Sequence, residues 1–462
     1  MFPLPLAAIE EYFLHEDRPA YPCLIFWRLA FEGTLRPEWL EEALEVARSR
    51  HPLLSSRVKK ERGVWRWEPA TDPIPIQWHE RSPIEMWEQG EWPTARHQPL
   101  QEEVGLRLIV TMDHHAADVV LVMHHSTCDG LGGASFLQDL FLAYQALSEK
   151  RDPREKLPAI CDEKLALRGS FGLTRQQMRG MIPEQLTAWR GILQFLMRKP
   201  QPILPHTPRK SAAPLPEIYP AIVTRRVSAQ QADLLSSAAK AERTTSNTML
   251  IRDYFWGIEN FRQSQGVNRP QDWIRLMVPI SLRSKVLDGI SAANVVSVVF
   301  LDRREIASLT RSQLAKTVHD EMKLIMDYQL GYTFIISLVA RRYLPGGLQG
   351  AAAGEPCVLS SILTNLGRAL GKMPLPVVNG HLQIGNLTLR SAEAIAPLRP
   401  GCVAATSLMF YGDGFTISSQ YDPEILTREK ANLFIDGFVS QIEQTISEQP
   451  AQKSPRTSSS TS

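Results

Sequence analysis

No stretch of this sequence sustains the roughly 20 apolar residues that a membrane-spanning helix requires, so a transmembrane protein is not expected. A charge excess is missing too. Lysine and arginine (51) nearly balance aspartate and glutamate (49), for a formal net charge of +2. That lacks the basic surplus of a dedicated nucleic-acid binder. Cysteine is sparse: Cys23, Cys128, Cys161, Cys357 and Cys402 are odd in number, scattered, and without a C-x-x-C pair. That fits a reducing compartment, the cytoplasm, better than a disulfide framework. The opening residues have no basic segment, and Glu10-Glu11 interrupt the first apolar run, so no secretory leader is expected. No G-x-S-x-G elbow is present, which argues against a serine hydrolase.

What is present is ordinary globular material, 44% hydrophobic and 22% charged, which fits neither disorder nor a fibre. A chain of 462 residues is long for one hydrophobic core, so two units are expected. The best linker is Pro-rich, from Pro200 through Pro208, Pro214, Pro216 and Pro220. The expected division is an N-terminal lobe at 1–199, a linker at 200–220, a C-terminal lobe at 221–448, and a disordered Ser/Thr-rich tail at 449–462.

One stretch organises the rest. The apolar run Val119 to Met123 leads into His124-His125, and Asp129-Gly130 follows four residues after the second histidine. Gly132 and Gly133 then precede a helical pattern of Phe136, Leu137, Leu140, Phe141 and Tyr144. A histidine at the end of a buried strand is rigidly held and partly desolvated, which suits a general base. A second pair, His114-His115, falls in the turn of a hairpin between Leu106–Met112 and Val119–Met123. The two pairs stand about 23 Å apart at the strand rise per residue, so a shared metal ion is not expected. Cys128 could form a Cys-His dyad with His125, but it reads better as a buried, inert thiol.

Several elements are legible along the chain. Strands are expected at 22–32, 222–227, 274–279 and 294–300. Helices are expected from Pro37 to Arg50, from Ser228, from Thr245 to Ile258, at 309–329 and at 427–446. A final hairpin spans 402–411 and 414–421. Residues 150–170 read as a charged loop, and Gly346 to Gly354 as a mobile small-residue loop. His51 reads as a polar residue closing a helix.

The pattern His124-His125-x-x-x-Asp129-Gly130 resembles the signature of the acyltransferase superfamily built on the chloramphenicol acetyltransferase fold, which includes condensation domains. Further segments are similar: Arg50-His51-Pro52-Leu53-Leu54, Asn247-Thr248-Met249-Leu250, Pro279 to Arg283 with Asn294, and Thr364-Asn365-Leu366-Gly367. Thr248 stands where an Asp is common, and Ala293 where many relatives have Gly. The resemblance implies an α+β fold of two lobes, each a mixed sheet flanked by helices, with the site in an interlobe channel.

By the same resemblance, His125 is the general base for direct attack of a hydroxyl or amine acceptor on a thioester. His124 is structural. Asp129 turns away to salt-bridge Arg283, and Gly130 keeps space or an unusual backbone angle beside the channel. For the oxyanion, the polar groups in these segments are Asn294, Thr364 and Asn365. The co-substrate is an acyl-CoA or an acyl-carrier-protein thioester, with no bound cofactor. The expected partners are a small-molecule acceptor and a separate carrier protein, and the chain is expected to be a monomer. The rival reading is a non-catalytic condensation-like binding module in a biosynthetic assembly.

Overall fold

The computed structural model describes residues 2–187, 189–353 and 358–448. Two large sheets carry the fold. One has seven strands in the order Val377–Val378, His381–Ile384, Leu387–Ile395, Leu24–Glu32, Ala116–His124, Leu106–Met112 and Ile76–Glu80. The other has six, in the order Val296–Arg303, Ile274–Ser281, Ser361–Asn365, Ala404–Tyr411, Gly414–Tyr421 and Ile222–Ser228. A small sheet of Leu4–Pro5, Val64–Pro69 and Ser56–Glu61 stands apart.

The central strands of the first sheet are buried on both faces: helices cover one side, and Tyr219 and Ile222 pack with Phe26 and Val120 on the other. Leu24–Glu32 reads as a nearly continuous apolar run, as such strands do. The helices Pro37–Arg50 and Gly130–Ser148 bury Leu40, Leu44, Phe136, Leu137 and Leu140 against Trp27, Leu29 and Leu121. In the second sheet, Ser246–Ser264 and Arg428–Ser447 place Tyr254, Phe255, Phe434 and Phe438 in one core. Caps fix the starts: the Ser228, Thr245, Thr310 and Thr427 hydroxyls each accept a backbone N–H of the first helical turn.

The two halves of the sequence do not map onto the two sheets. Three strands at 377–395 cross back into the first sheet, where Leu387–Ile395 pairs antiparallel with Leu24–Glu32. The Pro-rich 200–220 segment is tied down along its length. Ile203 and Leu204 enter the second core. Arg209 donates to Ala20 O at 2.8 Å and pairs with Asp422 at 3.2 Å. The 449–462 tail lies outside the described residues.

Two local expectations need correction. The glycine-rich stretch is not a loop throughout: Gly347–Ala352 is helical, with Leu348 and Ala352 buried beside helix Ala8–Glu16. Within 150–170, Asp162–Ser170 is a 3-10 helix rather than a loop. It is held by Arg168, whose guanidinium donates to both oxygens of buried Glu10 at 2.6 and 2.9 Å. His51 does close helix Pro37–Arg50. It is buried, accepts the Ala292 N–H at 2.8 Å through Nδ1, and meets Asp139 at 3.1 Å through Nε2.

Candidate active site

Strand Ala116–His124 delivers the histidine pair. Its partners are Leu24–Glu32 on one side, where Leu24 faces His124, and Leu106–Met112 on the other. Successive side chains leave a strand in opposite directions, and the two histidines do so here. His124 is fully buried. Its Nδ1 accepts the Ser126 N–H at 3.1 Å, and its Nε2 lies 3.5 Å from Asp17. Against the penalty of burial, the His124 and His97 imidazoles hold the Asp17 carboxyl well below the usual carboxylate range.

His125 sits half-buried just past the strand. Its backbone is fixed at both ends: its N–H donates to Cys23 O at 2.8 Å, and its carbonyl accepts from Asn294 Nδ2 at 2.8 Å. The ring Nδ1 lies 3.1 Å from Cys128 O. A carbonyl only accepts, so Nδ1 carries the proton and Nε2 presents its lone pair. The Phe13 ring stacks on the imidazole with centroids 4.1 Å apart and planes 19° apart. Burial pushes the His125 pKa below its ordinary value, so the ring is neutral at pH 7.

Two cavities meet at His125. One, of about 60 Å³, is apolar and is walled by Tyr12, Phe13, Met277, Phe334 and Leu398, with Arg399 and Glu16 beside them. The other, of about 160 Å³, is bordered by Trp27, Gly130, Arg283 and Leu366. His125, Pro279, Val296, Thr364 and Ala396 line both. Residues from both halves of the sequence thus enclose one histidine.

Asp129 makes no hydrogen bond to His125. One carboxylate oxygen accepts the Gly132 N–H and the other the Val295 N–H, both at 2.8 Å. Arg283 meets both oxygens in a fork, each contact 2.8 Å. Asp129 therefore caps helix Gly130–Ser148 and pins it to the second half at once. Gly130 keeps space rather than an unusual backbone angle: a Cβ there would lie 2.3 Å from Leu366 Cδ2. At Gly132 a Cβ would press on the Ala293 backbone at 3.0 Å. This is the close approach that Asp129 bridges.

The three oxyanion candidates separate. Asn294 does not border either cavity; its amide donates to the His125 and Ser126 carbonyls at 2.8 and 2.9 Å. Both donors are committed, so it clamps the motif loop instead. Asn365 borders the larger cavity, but its side chain donates to Asn247 at 3.0 Å and accepts the Gly367 N–H at 2.8 Å. Of the three, Thr364 alone borders both cavities, and its buried Oγ1 has no hydrogen-bond partner among the described residues. Cys128 is fully buried, packs on Met123 sulfur at 3.8 Å, and has its pKa pushed up to about 12 by burial. It is not a nucleophile at neutral pH.

Sequence reasoning missed the wall formed by helix Ala8–Glu16. Tyr12 and Phe13 reach the cavity from more than 100 residues away in sequence, and no pattern announces that. Arg399, which donates to Tyr12 Oη at 2.6 Å and pairs with Glu16, was missed for the same reason.

This architecture is the condensation-domain fold. The first condensation domain of the CDA synthetase superposes with a TM-score of 0.70 over 96% of each chain, at 14% identity. The starter condensation domain of rhizomide synthetase, a point mutant in complex with C8-CoA, gives 0.67 over 96% of this chain and 95% of that one, at 13% identity. The X-domain from teicoplanin biosynthesis gives 0.63 over 97% and 96%, at 15% identity. By sequence, no protein-family model and no curated protein matches the chain. Among the described residues, no helix is long and apolar enough to cross a membrane.

Proposed function

We propose that this chain is an acyltransferase that moves an acyl group from a CoA or carrier-protein thioester directly to a hydroxyl or amine acceptor. The observation that carries this reading is His125. Its neutral imidazole stands at the junction of both cavities, with Nδ1 committed to Cys128 O and Nε2 left to accept a proton. The acceptor O–H or N–H gives its proton to Nε2 as the heteroatom attacks the thioester carbonyl. A tetrahedral oxyanion forms, and Thr364 Oγ1 is the donor best placed to meet it. Collapse expels the thiolate, which takes the proton back from the imidazolium. No acyl-enzyme forms, in keeping with the inert Cys128.

The rival reading is a non-catalytic binding module, and one observation favours it: Phe13 lies flat on the base at 4.1 Å. Thiol release from a panel of acyl-CoAs, and then acylated carrier proteins, with mixed alcohols and amines decides between them. Acceptor-dependent release that falls about 10²–10⁴-fold in a folded His125→Ala variant supports the transferase. Release unchanged in that variant overturns the assignment of the base. No release with any donor leaves the binding module.

A further inference from the structure

Surface helices of a soluble domain turn their apolar stripe inward. Two helices here also expose a second apolar stripe. In Trp189–Met197, Phe195 faces the body of the protein and stacks on Phe300 with ring centroids 4.9 Å apart. Ile192, Leu193, Leu196 and Met197 face solvent, and Leu196 and Met197 are 69% and 65% exposed. Gly331–Arg341 packs Phe334 against the same Phe300, at 6.3 Å, and buries Ile335 and Leu338. Its outer stripe of Ile336, Val339 and Tyr343 faces solvent, with Tyr343 85% exposed. Both helices flank strand Val296–Arg303 at the edge of the second sheet. In the helix just before the first, Ile182–Thr187, Gln185 accepts from Thr333 Oγ1 and donates to the Gln329 carbonyl.

The sequence around the first helix is basic, although Arg198 there is paired with Asp302 at 3.6 Å. Residues 175–199 hold Arg175, Arg179, Arg190, Arg198 and Lys199 against the single acid Glu184. Arg175, Arg179 and Lys199 are exposed. At the end of the neighbouring helix Arg311–Asp327, Asp327 is already paired with Lys323 at 2.6 Å. Outward apolar arcs set among basic side chains match the interface of an anionic bilayer, which takes apolar groups below its headgroups and attracts cations at them.

We propose that the face formed by Trp189–Met197 and Gly331–Tyr343 docks this protein on anionic membrane surfaces. Docking does not depend on catalysis, so it is separable from the function proposed above. The test is co-sedimentation of the full chain with vesicles of phosphatidylcholine, or of equal parts phosphatidylcholine and phosphatidylglycerol. The wild type should bind the mixed vesicles far better than phosphatidylcholine alone, and more weakly as salt rises. Leu193→Asp with Leu196→Asp should weaken binding at least about tenfold. Arg175→Glu with Arg179→Glu should abolish the preference for phosphatidylglycerol. These side chains are exposed, so an unchanged melting curve confirms folded variants. His125→Ala should bind as wild type does. Absence of binding to mixed vesicles overturns the proposal, as does equal binding by the Asp variants. A wild-type dimer that Leu196→Asp splits into monomers also overturns it, since the face would then join two copies.

Discussion

Removing Asp129 should cost more than removing Arg283, although the two form one ion pair. Asp129 is 3% exposed, and its carboxylate is the acceptor for two backbone N–H groups as well as the guanidinium fork. Asp129→Ala deletes a helix cap, worth about 1 kcal/mol. It also strands the Val295 N–H in a fully buried position, at about 1–3 kcal/mol. The loss of the fork adds only about 1 kcal/mol, because Arg283 is 22% exposed and keeps the Ala293 carbonyl at 3.2 Å. Together these give about 4 kcal/mol, within the range for breaking a buried pair. In Arg283→Ala the carboxylate keeps both N–H donors, so about 1–2 kcal/mol is expected. The assay is urea unfolding of both single variants and the double variant, with midpoints compared at constant slope. The double variant should lose little more than Asp129→Ala alone, since the residues share one network. If Arg283→Ala costs as much as Asp129→Ala, the claim that the carboxylate serves the backbone first is refuted.

Four further outcomes follow from the site. Burial lowers the His125 pKa, so the acid limb of kcat/KM should fall below the ordinary histidine value of about 6.5, and Phe13→Ala should move it back up. The same shift makes the unfolded chain bind protons more readily, so His125 should subtract stability as pH falls from about 6.5 toward its folded pKa, which a comparison of melting curves with His125→Ala reads out. Gly130→Ala should push Leu366 into the larger cavity and cut turnover on the order of tenfold with little change in melting, and adding Leu366→Ala should restore it. Cys128 should resist alkylation in the native protein and react only on unfolding, because it is fully buried with a pKa of about 12.

The motif was readable because its parts are local. An apolar strand, two histidines and an Asp-Gly helix start follow one another without interruption, and each follows from chain periodicity or capping. The Asp129–Arg283 contact was implied only by resemblance, and the geometry contains it. Asn294 shows where such reasoning stops. Its place in a similar segment suggested a donor facing the reaction, but direction depends on the backbone opposite, and there the His125 and Ser126 carbonyls take both its hydrogens. The crossing strands were illegible for a different reason. Val377–Val378 and His381–Ile384 are two and four residues long, and they are interrupted by Gly380 and Gly385, both at positive φ. Too few residues carry the alternation for a period to emerge.

Those crossing strands explain why the site belongs to neither half. Leu387–Ile395 pairs with Leu24–Glu32, which pairs in turn with the strand bearing His124. Without it, Leu29 and Phe31 lose their contacts with Leu387 and Leu389 in the first core, and the sheet gains an open apolar edge. The same strand then runs into Ala396, which borders both cavities, and on to Leu398 and Arg399, which wall the smaller one. One segment therefore closes the sheet that positions His125 and also forms part of the partition between the two cavities. Asn294 clamps the motif loop from the other direction, so the imidazole acquires its surroundings only when both halves are docked. An imidazole held in this way needs no partner carboxylate to orient it, and Asp129 acts as a structural anchor.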